Sequence, residues 1–264
     1  MDKRDGFIEF PDAKGIVVSG DIHGDFTPLV YKCCSQYGMT DTLIIVAGDC
    51  GFGFAKKGFY DSIYEKCQSK LAKANNWLVF VRGNHDNPAY FENGVIKHKR
   101  WMTIPDYSVL KVCGHSILCV GGATSIDRRH RMMDKHWHPI DMNEALAPNL
   151  YWPNEQPIYD EAKLDAIDQC AAIDTVITHT APSFCELSSH FALEDWAMYD
   201  KDLMDDVKHE RKVMDDLYNY LYAKNHPLQY WFYGHFHESW HAKIDDVMFN
   251  MLDIMELREI PNKS

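Results

Sequence analysis

Six short apolar runs set the terms for this chain: "GIVVSG" (15–20), "TLIIVAG" (42–48), "WLVFVRG" (77–83), "SILCVGG" (116–122), "DTVITH" (174–179) and "YWFYG" (230–234). β-Branched and aromatic residues dominate them, and all but one close on glycine. Each therefore reads as a buried strand with a sharp exit. Helix-like segments lie between them at 26–37 and 58–75. The clearest is 203–224, where Leu203, Val207, Met214, Leu217, Tyr218 and Leu221 recur at helical steps. Strands alternating with helices imply an α/β architecture, and 264 residues suffice for a large core.

The residues just beyond the strands carry the chemistry. "VVS" runs into Gly20-Asp21-Ile22-His23-Gly24, "IIVA" into Gly48-Asp49, and "LVFVR" into Gly83-Asn84-His85-Asp86. "TVIT" ends at His179, and "WFY" leads to Gly234-His235-Phe236-His237. Any one of these fragments fits an ordinary turn. Five strands delivering Asp, Asn or His at their carboxyl ends, where α/β sheets place ligand sites, fit a metal centre better. In Asp21-x-His23 and His235-x-His237, alternation puts both side chains of a pair on one side of an extended segment. Imidazole with carboxylate and amide oxygen suits manganese, iron, zinc, nickel, cobalt or magnesium. No thiolate joins the set, which argues against a structural zinc knot.

The ordered set DxHG, GD, GNHD, H and GHxH resembles the calcineurin-like metallophosphoesterases from residue 16 to about 252. The resemblance implies one domain over 1–264, folded as a four-layer αββα sandwich, with excursions at about 127–160 and 183–226. It implies two divalent ions, manganese first among them. One would take Asp21, His23, Asp49 and His237, the other Asp49, Asn84, His179 and His235. The expected reaction is hydrolysis of a phosphomonoester or phosphodiester of a small molecule or nucleotide by a metal-bridging hydroxide. His85 fits the family's non-ligand histidine, as proton donor or as a cation stabilising the transition state. Asp86 either orients His85 or makes a structural ion pair.

The resemblance has a gap. In its phosphoprotein-phosphatase branch the second motif continues as GDxVDRG, whereas here Phe52 and Gly53 stand where that aspartate and arginine would be. A typical protein phosphatase is therefore not expected. Arg128 or Arg129, just beyond the fourth run, could clamp phosphate in compensation, or lie in a solvated loop. His136, Trp137, His138, Tyr151 and Trp152 form either an aromatic rim for a flat leaving group or packing for an irregular segment.

Charge and composition narrow the partners. A net charge of -12 argues against a general nucleic-acid binder, so a nuclease of the same fold is the weaker reading. A third reading is a non-catalytic metal-binding partner module. Eight cysteines without a CxxC pair read as reduced thiols. Residues 1–15 hold no apolar segment and no run reaches membrane-spanning length, so a cytoplasmic, non-membrane protein is expected.

Overall fold

A computed structural model of the chain describes residues 6–56, 58–92, 95–133, 150–185 and 193–263. In chain order its strands begin with β1 (Phe7–Glu9), β2 (Gly15–Ser19), β3 (Thr42–Val46) and β4 (Trp77–Phe80). Next come β5 (Lys97–His98), β6 (Trp101–Thr103), β7 (Ser108–Val112), β8 (His115–Val120) and β9 (Thr175–Thr178). The last are β10 (Tyr230–Tyr233), β11 (Trp240–Ile244), β12 (Val247–Met251) and β13 (Leu257–Ile260). The helices are α1 (Phe26–Tyr31), α2 (Phe59–Ala74), α3 (Ala89–Glu92), α4 (Arg128–Met133), α5 (Glu161–Asp168), α6 (Leu193–Ala197) and α7 (Leu203–Ala223).

Two sheets result, ordered β13-β2-β3-β4-β6-β5 and β1-β7-β8-β9-β10-β12-β11. The centre of each is parallel: Ile16 pairs Leu43 and Leu43 pairs Trp77 in the first, Ile117 pairs Thr175 and Thr175 pairs Tyr230 in the second. Antiparallel strands close three of the four edges, namely β13 on β2, β5 on β6 and β11 on β12.

Alternation along the strands sorts the core into three apolar layers. Ile16, Val18, Leu43, Ile45 and Val79 meet Leu110, Ile117, Cys119, Ile177 and Phe232 between the sheets. Ile44, Val46, Leu78 and Phe80 face outwards onto Phe26 and Leu29 of α1 and Cys67 and Leu71 of α2. Val109, Leu118, Val176 and Trp231 face the other way onto Leu164 of α5 and Val213, Met214, Leu217 and Leu221 of α7. The result is helix, sheet, sheet, helix, as the α/β sandwich expectation required. Helix α7 is therefore a core cover along its apolar stripe. Among the described residues no helix is long and apolar enough to cross a membrane.

Candidate metal centre

Both parallel centres point their carboxyl ends at one place. Strands β2, β3 and β4 deliver Asp21, Asp49 and Asn84 from one sheet, while β9 and β10 deliver His179, His235 and His237 from the other. The turns are tight enough to hold side chains in unusual backbone: His23, Asp49, His235 and His237 all have positive φ, between 42° and 70°. Non-glycine residues pay for this region in steric energy, and such outliers gather at functional sites. Two glycines make the closeness possible. A Cβ on Gly83 would run into the backbone and carboxylate of Asp49, and one on Gly234 into the carboxylate of Asp21.

Two clusters of donor atoms form, each with its atoms within 4.8 Å of one another. Asp21, His23, Asp49 and His237 make the first, and Asp49, His179 and His235 the second, so Asp49 belongs to both. Asn84 joins the second cluster, its Oδ1 lying 3.0 Å from His179 Nε2. The structure thus brings together in space the residues of the two groupings that the family resemblance implies.

The donors fit a cation. His23 Nε2 and His237 Nε2 face each other at 3.0 Å. Among the described residues the buried Asp21 Oδ2 has no hydrogen-bond partner, although His237 Nε2 lies 3.0 Å away. His179 donates Nδ1–H to the Ala47 carbonyl at 2.8 Å, which turns Nε2 toward the position a metal would take. Charge points the same way. Burial would lower His179, yet the Asp49 and Asp21 carboxylates hold it up to about 10. Burial would raise Asp49, but His179, His85 and His23 hold it well below the usual carboxylate range. A proton on His179 thus supplies positive charge that a divalent ion would supply instead.

Around this centre the structure resolves roles that spacing left open. Among the described residues Asp86 makes no ion pair and no hydrogen bond to the His85 side chain. Its Oδ1 accepts the backbone N–H groups of Gly51 and Phe52, both at 2.8 Å, and its Oδ2 those of Cys50 at 3.0 Å and Gly83 at 2.8 Å. One buried carboxylate thereby ties the Asp49 turn to the Asn84 turn. Burial and the nearby Asp49 push Asp86 up to about 7, against the pull of those donors.

His85 donates its backbone N–H to Asp49 Oδ1 at 2.7 Å and packs its ring 5.2 Å from that of His23. Arg131 Nη2 lies 3.0 Å from His85 Nε2. A guanidinium only donates, so Nε2 accepts and the imidazole is neutral. Burial first, then the Arg131 cation, bring His85 down to about 4 despite Asp49.

Sequence alone does not single out Arg131. The clue it offers is Asp127, four residues earlier and just before α4: one helical turn brings the pair together, with Nε and Nη2 of Arg131 at 2.9 and 2.6 Å from Asp127 Oδ1. Arg128, by contrast, is turned away. Its Nε lies 2.6 Å from Asp200 Oδ2 and its Nη1 2.5 Å from Asp206 Oδ2, while the more exposed Arg129 reaches Asp200 at 3.5 Å. Trp152 is buried against Phe54, which in turn lies against His85. His136, Trp137 and His138 lie outside the described residues.

A cleft of about 1300 Å³ opens from Asp49, Asn84, His85, His235 and His237 and extends along α7, past Val207, Lys208, Arg211 and Asn219. It is far larger than a phosphate group and of the order of a small-molecule site.

A layered sandwich with paired donor clusters at converging strand ends is a scaffold able to hold metal ions. The chain belongs to the calcineurin-like phosphoesterases, whose family model matches residues 15–239. Members hydrolyse phosphoesters with bound metal. No curated protein is similar enough to match the chain. Among solved structures, TT1561 of Thermus thermophilus aligns at 13% identity and TM-score 0.50, covering 95% of this chain and 100% of that one. That likeness concerns the fold. The phosphopantetheinyl hydrolase PptH of Mycobacterium tuberculosis aligns at 14% identity and TM-score 0.40, covering 93% and 96%.

Proposed function

We propose that this chain is a binuclear metallophosphoesterase that cleaves a phosphomonoester or phosphodiester of a small molecule or nucleotide. The observation that carries the proposal is the sharing of Asp49 between two donor clusters. Asp21, His23, Asp49 and His237 would hold one ion, and Asp49, Asn84, His179 and His235 the other. Mixed oxygen and imidazole donors without thiolate suit manganese, with iron, zinc, nickel, cobalt and magnesium as competitors. When bound, such a pair acidifies water and neutralises charge developing on phosphorus.

The chain's own residues supply the rest. Arg131, not Arg128 or Arg129, has its guanidinium beside His85 and takes the phosphate-binding role in this proposal. A phosphate dianion entering there competes for the Arg131 donor and, by its charge, favours the imidazolium form of His85. His85 is then able to protonate the leaving oxygen. The cleft along α7 receives the leaving group. Cys33, Cys34, Cys50, Cys67, Cys113, Cys119 and Cys185 form no disulfide among the described residues, which fits a reducing, cytoplasmic setting.

The test is turnover by metal-stripped protein reloaded with each ion, on a nitrophenyl monoester and a bis-nitrophenyl diester. Metal-dependent hydrolysis that disappears in Asp49→Asn supports the proposal. Two bound ions with no turnover on a broad panel of phosphoesters would favour a binding module.

A further inference from the structure

A metal can use only the oxygen of an asparagine side chain, so the Asn84 carboxamide must present the right end. The side chain alone does not decide this, because its two ends are nearly the same size. Something behind it must.

Behind it stands Ser125, whose Oγ is 3.0 Å from Asn84 Nδ2. Behind Ser125 stands Glu155, with Oε2 at 2.6 Å from the Ser125 hydroxyl and Oε1 at 2.7 Å from the Ser125 backbone N–H. All three residues are buried, Ser125 and Glu155 to 1% exposure and Asn84 to 3%, so bulk water does not reach the Ser125–Glu155 contacts. The count of donors then fixes every hydrogen. An ionised carboxylate only accepts, so the Ser125 O–H is given to Glu155. With its one proton spent, Ser125 Oγ can only accept, and it must take the Asn84 N–H. The Asn84 oxygen is left facing His179 Nε2, 3.0 Å away.

The loop that carries Glu155 is fastened to the strand that carries Asn84. Arg82, buried and two residues before Asn84, donates Nη1–H to the Glu155 carbonyl at 2.5 Å, and its Nη2 donates to the Gln156 carbonyl at 3.3 Å and to Asp106 at 2.8 Å. A movement of one end of the relay therefore carries the other.

We infer that Glu155, acting through Ser125, is a positioning residue that fixes the Asn84 carboxamide oxygen toward the second metal position. Neither residue touches the reacting atoms. Their substitution should weaken the ion held by Asn84, His179 and His235 and spare the one held by Asp21, His23 and His237. The inference rests on the metal centre proposed above.

Glu155→Gln is the sharpest change. It keeps size and shape but offers an N–H to Ser125 Oγ, which frees the Ser125 proton to point at Asn84 and turns the amide around. Ser125→Ala breaks the relay by removing one oxygen and leaves the Arg82 anchor in place, so it serves if Glu155→Gln does not fold. Burial pushes Glu155 up to about 7, so the titration belongs at pH 8, where the carboxylate is ionised.

The experiment is calorimetric titration of metal-stripped protein with Mn²⁺, with bound metal counted after gel filtration, for wild type, Glu155→Gln, Ser125→Ala, Ser125→Thr and Asn84→Ala. The expected result is two ions in wild type and about one in Glu155→Gln, Ser125→Ala and Asn84→Ala. Second-site affinity should fall by about 10- to 100-fold in the first two, the usual cost of losing an outer partner. Ser125→Thr should recover it, and Glu155→Gln should add nothing in the Asn84→Ala background. Two ions of unchanged affinity in both relay variants, with one in Asn84→Ala, would overturn the inference and leave the metal centre standing. Fewer than two ions in wild type would bring down the metal centre and this inference with it.

Discussion

Asp49 Oδ1 lies 3.0 Å from His179 Nε2, across the junction between the two sheets. Asp49 leaves β3 of one sheet and His179 ends β9 of the other, so this contact exists only when both sheets are packed. An ion held at this point would tie the two sheets together, so the proposed metal centre predicts that metal binding and the packing of the sandwich are coupled. Removal of the ions by a chelator should lower the unfolding midpoint, as binding to the native state alone contributes about 2.7 kcal/mol at a hundredfold excess over Kd.

Two of the three arginines of α4, Arg128 and Arg131, should separate cleanly. Arg131→Met is expected to raise the inhibition constant for inorganic phosphate at least about tenfold, as one charge-assisted contact is lost. Arg128→Met should leave that constant alone and lower stability by about 3 kcal/mol, the low end for breaking a buried ion pair, because Asp206 is partly exposed. Phosphate inhibition and urea unfolding on both variants check this. Phosphate binding weakened by Arg128→Met and not by Arg131→Met would reverse the assignment.

Asp86 predicts a structural cost felt at the metals. Asp86→Asn keeps one acceptor oxygen, so two of the four backbone N–H groups lose their partner. At least about 2 kcal/mol should be lost from the metal-free protein, together with weaker uptake of both ions, since the Asp49 and Asn84 turns drift apart. Unfolding curves and metal counts on the same preparation give both numbers. Unchanged stability would mean that the four N–H groups find other partners.

Remote from the site, Asp174 sets a pH dependence. Burial would raise it, but the His115 side chain at 2.5 Å, the Ser116 N–H, Lys263 and Thr175 hold it below the usual carboxylate range. A carboxylate with a depressed folded-state pKa contributes stability at pH values above its unfolded value of about 3.9. That contribution is lost as pH falls through the folded value. Asp174→Asn should therefore be clearly less stable than wild type at pH 7, with the gap closing below about pH 4. Urea midpoints at pH 7 and pH 3 would show it, and a gap of constant size would contradict it.

Much of the centre is legible in the sequence because its signals are local. The six apolar runs became β2, β3, β4, β8, β9 and β10, the parallel hearts of the two sheets, where burial on both faces leaves continuous apolar sequence. Short or half-exposed strands such as β5, β11 and β13 are not, since their pairing depends on a neighbour far along the chain. The donor residues are readable because each lies one to four positions beyond a strand. Arg128 and Arg129 stand out in the sequence and Arg131 does not, because helical phase, not proximity in sequence, decides which side chain of α4 reaches His85. The partnership of Ser125 with Glu155 spans thirty residues and leaves no pattern in the sequence.

The measurement that bears most directly on the central claim is Mn²⁺ uptake by metal-stripped wild type and Asp49→Asn. A carboxylate shared by both clusters predicts two ions per chain in wild type and loss of both in the variant, with affinities down more than about 100-fold, beyond the usual outer-partner effect. Two ions retained by Asp49→Asn, or only one taken up by wild type, would contradict a bridged pair of metals.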